Sequence, residues 1–271
     1  MAEREVDGVI SMYTTFCKSL DILFGGYLEG ELLHIFGPGK CGKTTLATYL
    51  PIISIYRKKK ARGELKDEHC FIVVNTDGGF SIDRLIQLCE IYDVDFEDIQ
   101  NRLQVYTAFS FKAQSRLLFH DIPEYLDTQD KKPLLVSVDP ITITYRREWK
   151  GVPKDRVLLV ARELRPELED QVYMLIKLAK LYNCVATVVN IRRSFRGMSE
   201  EERRRTYPFY GGAPFEYLPY ATIELYKPDI ESEEIEARLW FHRWKRAGSR
   251  VRLFITEKGF EEVGRGEGSK S

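Results

Sequence analysis

The chain has 271 residues, room for one large α/β domain or two small ones, and its 44% apolar content is that of an ordinary globular protein. Forty-one basic and 41 acidic side chains leave a formal net charge of zero, so attraction to a polyanion must come from local clusters, not the overall field. No stretch approaches the roughly eighteen apolar residues of a membrane span, and the charged start MAEREVDG lacks the apolar segment of a signal peptide; a cytoplasmic protein without membrane contact is expected.

In chain order, residues 1–11 read as a short N-terminal segment, 12–263 as one core and 264–271 (GRGEGSKS) as a disordered tail too polar to bury itself. Short apolar runs at Leu32–Phe36, Phe71–Asn75, Leu103–Tyr106, Leu134–Val138 and Val185–Val189 predict buried strands. Helical spacing follows the first run at Thr45–Ile55 and is clearest at Pro166–Tyr182, where Leu168, Val172, Leu175 and Ala179 recur every three or four residues. Pro166 with Glu167, Glu169 and Asp170 suits a first helical turn. Strands alternating with helices imply a mainly parallel twisted sheet covered on both faces, because parallel neighbours need crossover connections. Beyond Gly212, the runs Ala221–Tyr226, Ala237–Trp244 and Val251–Ile255 lie close together and predict an antiparallel extension. The five cysteines are widely spaced and show no C-x-x-C, so reduced structural thiols are expected.

Gly37-Pro38-Gly39-Lys40-Cys41-Gly42-Lys43-Thr44 fits G-x-x-x-x-G-K-[ST] and sits between a predicted strand and a predicted helix that opens at Thr45. Glycines let such a backbone curl so that successive N–H groups face phosphates, and the helix N-terminus adds partial positive charge. ATP with Mg²⁺ is the expected ligand pair, with Lys43 on the β and γ phosphates and Thr44 on the metal. A second metal ligand should end a buried strand, which selects Asp139; the bland alternative is an Asp that caps the turn at Pro140. Asp77 follows the run Phe71–Asn75 at the carboxyl edge of the sheet, where it could activate water or simply shape the turn before Gly78.

Several ordered segments resemble the RecA superfamily, in particular the archaeal RadA/RadB recombinases and their paralogues. They are Cys17-Lys-Ser-Leu-Asp21 with Gly25-Gly26, the phosphate loop, Asn75-Thr-Asp-Gly78 with Asp83-Arg84-Leu85, the strand ending at Asp139, Ala179-Lys-Leu-Tyr182 before Val185–Asn190, and Gly211-Gly212. The resemblance spans roughly residues 12–263. It implies a RecA-like P-loop core and an ATP- and single-stranded-DNA-binding recombinase paralogue that assists a principal recombinase in homologous recombination and DNA repair. It also puts Asp77 where the family has a water-activating glutamate. Aspartate is one methylene shorter, and a displacement of about 1 Å can cost about a hundredfold in rate, so slow, DNA-dependent ATP hydrolysis is expected. Where the family has Asn-Gln this chain has Asn190-Ile191, and Ile191 cannot hydrogen-bond to a γ-phosphate. Coupling between nucleotide and DNA is then expected to weaken or to run through Asn190 or Arg192. About a dozen residues precede the core, so no long autonomous filament is expected, although a homo-oligomer stays open.

By position, residues 191–210 match the family's second DNA-contacting loop. Arg192, Arg193 and Arg196 could hold phosphates, and Phe195, Tyr207, Phe209 and Tyr210 could stack on unpaired bases. The same stretch also reads as a solvated helix capped by Ser199 and Glu202. Tyr145–Lys154 resembles the first DNA loop by position only, a case that an exposed Trp149 would strengthen. Lys245 and Arg246 lie where RecA and KaiC-like relatives place cations that reach a neighbour's γ-phosphate; a charged turn in water is the alternative. Two further readings remain: a KaiC-like regulatory ATPase or nucleotide-dependent protein-binding scaffold without DNA function, and a catalytically silent module docking on a recombinase.

Overall fold

The computed structural model describes residues 12–195, 197, 199–201, 206–228 and 232–263. A two-stranded ribbon, β1 (Met12–Tyr13) with β2 (Tyr27–Leu28), brackets helix α1 (Lys18–Phe24). The main sheet begins with β3 (Leu32–Gly37), β4 (His69–Asn75), β5 (Leu103–Thr107), β6 (Lys132–Asp139) and β7 (Val185–Ile191), and ends with β8 (Ala221–Tyr226), β9 (Glu234–His242), β10 (Arg250–Thr256) and β11 (Gly259–Glu262). Its order is β11-β10-β9-β8-β3-β7-β6-β4-β5.

Four of the five predicted apolar runs become strands buried on both faces, as parallel sheets require, whereas Leu103–Tyr106 falls in the edge strand β5, which is only half-buried and leaves Val105 exposed because no strand covers its outer side. In β3, Leu33 and Ile35 join one core while Leu32 and Phe36 join the other; in β4, Phe71 and Val73 oppose Cys70, Ile72 and Val74 in the same way. The first core is covered by α2 (Leu50–Ala61), α3 (Ile82–Ile91) and α4 (Phe96–Arg102). The second is covered by α5 (Phe111–Arg116), α6 (Ile122–Thr128) and α8 (Val157–Tyr182), with α7 (Ile141–Arg147) at the exit of β6. All five cysteines are buried and free. Among the described residues no helix is long and apolar enough to cross a membrane.

Two local expectations are corrected. Ala221–Tyr226 pairs parallel with β3 and only its outer side starts the antiparallel extension, because the connection from β7 is long enough to cross back before β8. Pro166 lies inside α8, which begins at Val157. A proline there forfeits the bond to the Arg162 carbonyl, and the packing of Ala161 and Leu164 against the second core carries the helix through.

The helix after the phosphate loop opens with a π-type turn, Thr45–Tyr49. Its carbonyls are satisfied from outside: the Thr187 hydroxyl donates to Ala47 O at 2.7 Å and the Tyr27 hydroxyl to Leu46 O at 2.7 Å. Ser137 meets Thr48 Oγ1 at 2.8 Å. Polar residues in otherwise apolar strands thus fix the loop's helix to β6 and β7.

Candidate nucleotide site and basic groove

The phosphate loop leaves β3 at Gly37, where an added Cβ would lie 2.1 Å from the Leu225 carbonyl oxygen of β8; only glycine permits that approach. Gly42 has φ +79°, and its missing Cβ is replaced by the ring of Phe260, a residue of the β10–β11 hairpin. Gly39 and Lys40 are open to solvent and Pro38 is half-buried, while Cys41 is fully buried. Lys43 folds back so that its ammonium donates to the Pro38 carbonyl. Burial pulls the pKa of Lys43 down, opposed by the negative charge of Asp139 and, further down the order, Asp77.

Asp139 ends β6 and is 9% exposed. Burial pushes its carboxyl up to about 6; Asp77 adds to that rise, while the Thr44 hydroxyl and the Lys43 ammonium oppose it. Thr76 clamps the neighbouring strand ends, its N–H on Asp139 O at 3.0 Å and its hydroxyl on Pro140 O at 2.7 Å. Asp77 therefore stands at the same edge, exposed, with one carboxylate oxygen accepting the Gly79 N–H at 2.8 Å. It shapes the turn and also bears electrostatically on Lys43 and Asp139. Among the described residues no group of three or more His, Cys, Asp or Glu could hold a metal unaided. Thr44 and Asp139 supply hard oxygens and leave the other positions to phosphate and water, the usual arrangement for Mg²⁺.

Asn190, fully buried at the end of β7, joins this edge to the next segment. Its Oδ1 accepts from the Thr142 hydroxyl at 2.6 Å and from Ile191 N at 2.7 Å, and its Nδ2 donates to Tyr210 O at 2.9 Å. Ile191 lies opposite Gly37 in the β3–β7 register.

The residues from 192 onward divide between two places. Arg192 turns to the phosphate loop: its N–H donates to Gly37 O at 3.2 Å, its guanidinium pairs with buried Glu224 at 3.5 Å and lies 4.7 Å from the Tyr226 ring centroid. Together with Pro38–Cys41 and Tyr226 it lines a pocket of about 370 Å³. Arg193 goes the other way, 5.9 Å from the Tyr210 ring, which also carries Arg146 at 4.3 Å. Phe209 is not available for stacking on a base: at 1% exposure it packs on Phe36 and His34, both at 4.9 Å. Phe195, Tyr207 and Tyr210 are half-buried. Arg196 and Glu202 lie outside the described residues. Trp149 is not exposed either; it is half-buried between Tyr145 and Tyr210, with an indole N–H that has no acceptor.

Lys245 and Arg246 occupy the β9–β10 turn. Because His242 pairs with Ala221 at the start of β8, this turn lies at the amino edge of the sheet, opposite the phosphate loop. Lys245 Nζ is tied to Ile22 O at 2.6 Å.

Residues 6–200 match the Rad51 family profile. The chain belongs to the Rad51 family. It is 32% identical over 253 residues to the DNA repair and recombination protein RadB of Thermococcus kodakarensis, an alignment covering 93% of this chain and all of that one. It is also 26% identical over 200 residues to the RadA protein of Methanococcus voltae, covering 69% of this chain and 59% of that one. A crystal structure of the RadB recombinase superposes with a TM-score of 0.70 at 29% identity, covering 93% of this chain and all of that one. The family's RecA-like, ATP-binding architecture thus accounts for the sheet order and the phosphate loop.

The clamping role of Thr76 and the packing of Phe260 under the phosphate loop escaped the sequence reading. The turn Glu257–Lys258 before Gly259 is a recognisable hairpin signal that could have exposed β11 and hence Phe260.

Proposed function

We propose that this Rad51-family protein is a cytoplasmic ATP- and single-stranded-DNA-binding recombinase paralogue that hydrolyses ATP slowly and assists a principal recombinase in recombination and repair. The observation that carries the reading is the connection of two sites through one residue. Asn190 binds Thr142, three positions beyond Asp139, and also binds Tyr210 in the basic, aromatic segment. That arrangement supports a nucleotide-sensitive DNA surface even with Ile191 in place of a polar sensor.

In this reading the loop's N–H groups and Lys43 grip the phosphates, and partial burial, which lowers the Lys43 pKa, strengthens the action of its charge on them. Bound Mg²⁺, held by Thr44 and Asp139, would neutralise phosphate charge. Asp77 would accept the proton of the attacking water, from a carboxylate that also has to hold the Gly79 turn. Its short reach and its second duty both favour slow turnover. Lys245 and Arg246 would complete the site of a neighbouring copy, since they point away from their own phosphate loop.

The test is fluorescence anisotropy of a labelled single-stranded oligonucleotide over a salt series, with and without ATP and Mg²⁺. Tight, salt-dependent binding weakened by Arg193→Ala is expected. No binding at low salt would overturn the DNA reading and favour a nucleotide-dependent protein scaffold.

A further inference from the structure

The long helix α8 forms one wall of a groove of about 500 Å³ whose other wall is the segment 206–212. That volume lies within the roughly 300–1,000 Å³ of sites that enclose a small ligand group. The groove carries three guanidinium groups, Arg162 and Arg165 from α8 and Arg193 opposite, and no carboxylate lines it among the described residues. Glu216, outside the lining, is engaged by the Tyr207 hydroxyl. The groove's aromatic lining includes the half-buried Trp149, Tyr207 and Tyr210, with the buried Tyr145 and Phe209 beneath. Gly212, at φ +75°, turns the chain beside α8, with the Arg165 guanidinium at ordinary contact distance, 3.4 Å, from where its Cβ would be. Tyr207 is held in place by Phe209, stacked at 5.5 Å, so its ring is presented on a rigid support.

Resting on the DNA reading above, we infer that this groove takes a single unpaired nucleobase of the bound strand, turned out of line beside Tyr207, while Arg162 and Arg165 hold the adjoining phosphates. Cations alone would track any polyanion. Aromatic rings beside them select a planar, apolar-faced group carried on an anionic chain, and only an unpaired base offers its free face and edge to such rings. Arg162 and Arg165 are exposed and on a helix face outside residues 191–210, so the groove widens the DNA surface onto an element that no loop comparison would include.

The experiment compares a labelled oligothymidylate with an abasic strand of the same length and charge. The full chain should bind the base-bearing strand roughly tenfold more tightly, stacking being worth about 1–3 kcal/mol per base. Tyr207→Leu should abolish that preference and Tyr207→Phe should keep it. Arg162→Ala/Arg165→Ala should weaken both strands alike and lower the salt slope by about 1.4, about 0.7 for each phosphate contact on a single strand. Equal affinity of the wild type for both strands would overturn the base pocket while leaving the DNA reading intact. An unchanged salt slope in the double variant would remove α8 from the surface. Displacement of the strand by free thymidine monophosphate at micromolar concentration would reassign the groove to a free nucleotide. Loss of all DNA binding by the wild type would overturn the DNA reading itself, and the groove with it.

Discussion

His34 offers a clean measurement of how firmly the 209–215 segment is anchored. It sits on β3 with no exposure, and its ring touches Phe36, Phe209 and Phe215. The Thr222 hydroxyl donates to Phe215 O at 2.9 Å, so His34 Nδ1, 3.1 Å from the same oxygen, must be the protonated nitrogen. Nε2 is then a bare lone pair without a partner. Burial pulls the pKa down to about 3, only partly offset by the hydrogen bond to Phe215. An unfolded histidine titrates near 6.5. Stability from the neutral ring is therefore fully present above pH 6.5 and is lost as pH falls towards 3, because the unfolded chain binds the extra proton first. At pH 5 the loss is about 2 kcal/mol by linkage. His34→Phe removes the titration and the orphaned nitrogen, and Phe215 O keeps its bond from Thr222. Urea unfolding of both proteins at pH 8 and pH 5 should show the stability difference shifting by about 2 kcal/mol in the variant's favour at the lower pH. Parallel pH curves would refute the buried, neutral state of the ring.

The other predictions concern the two sites directly. Gly42→Ala forces a side chain into a positive-φ position 2.7 Å from the Phe260 ring and should cost about 1–3 kcal/mol, together with the thermal stabilisation conferred by ATP; Gly39→Ala, with nothing within 4 Å, should leave unfolding of the unliganded protein nearly unchanged. Asp77→Glu should raise steady-state ATP turnover, up to about a hundredfold, by restoring reach; an unchanged or lower rate in a phosphate-release assay would show that Asp77 serves only its turn. Asn190→Leu strips partners from Thr142, Ile191 N and Tyr210 O, at about 1–3 kcal/mol for each group left buried and unpaired. In anisotropy titrations that variant should lose the response of DNA affinity to ATP more than the affinity itself.

Much of the nucleotide site was legible because its information is local. A strand, eight loop residues and a helix are contiguous, and Asp139 announces itself by ending an apolar run. What stayed hidden depends on partners distant in sequence. Arg192 was legible as a loop cation and a possible coupling residue, but its partners Glu224 and Tyr226, brought alongside by the parallel β3–β8 pairing, were not. Phe209 looks identical to a base-stacking aromatic until Phe36 and His34 appear beneath it. Pro166 carries a strong local signal for a helix start, and the packing that overrides it, through Ala161 and Leu164, has no signature in the periodicity. Arg162 and Arg165 went unnoticed for the same reason: charged positions on a helix gain meaning only from the wall they face.

The β9–β10 turn gives the molecule a polarity. At about 3.3 Å per residue, the six residues of β3 separate it from the phosphate loop by roughly 20 Å along the strands. If Lys245 and Arg246 serve hydrolysis, each chain is a donor of cations at one pole and an acceptor at the other, and no single molecule can use its own. Specific activity would then climb with protein concentration, and mixing a Lys43-deficient chain with a Lys245/Arg246-deficient one would regenerate one working junction from two inactive parents.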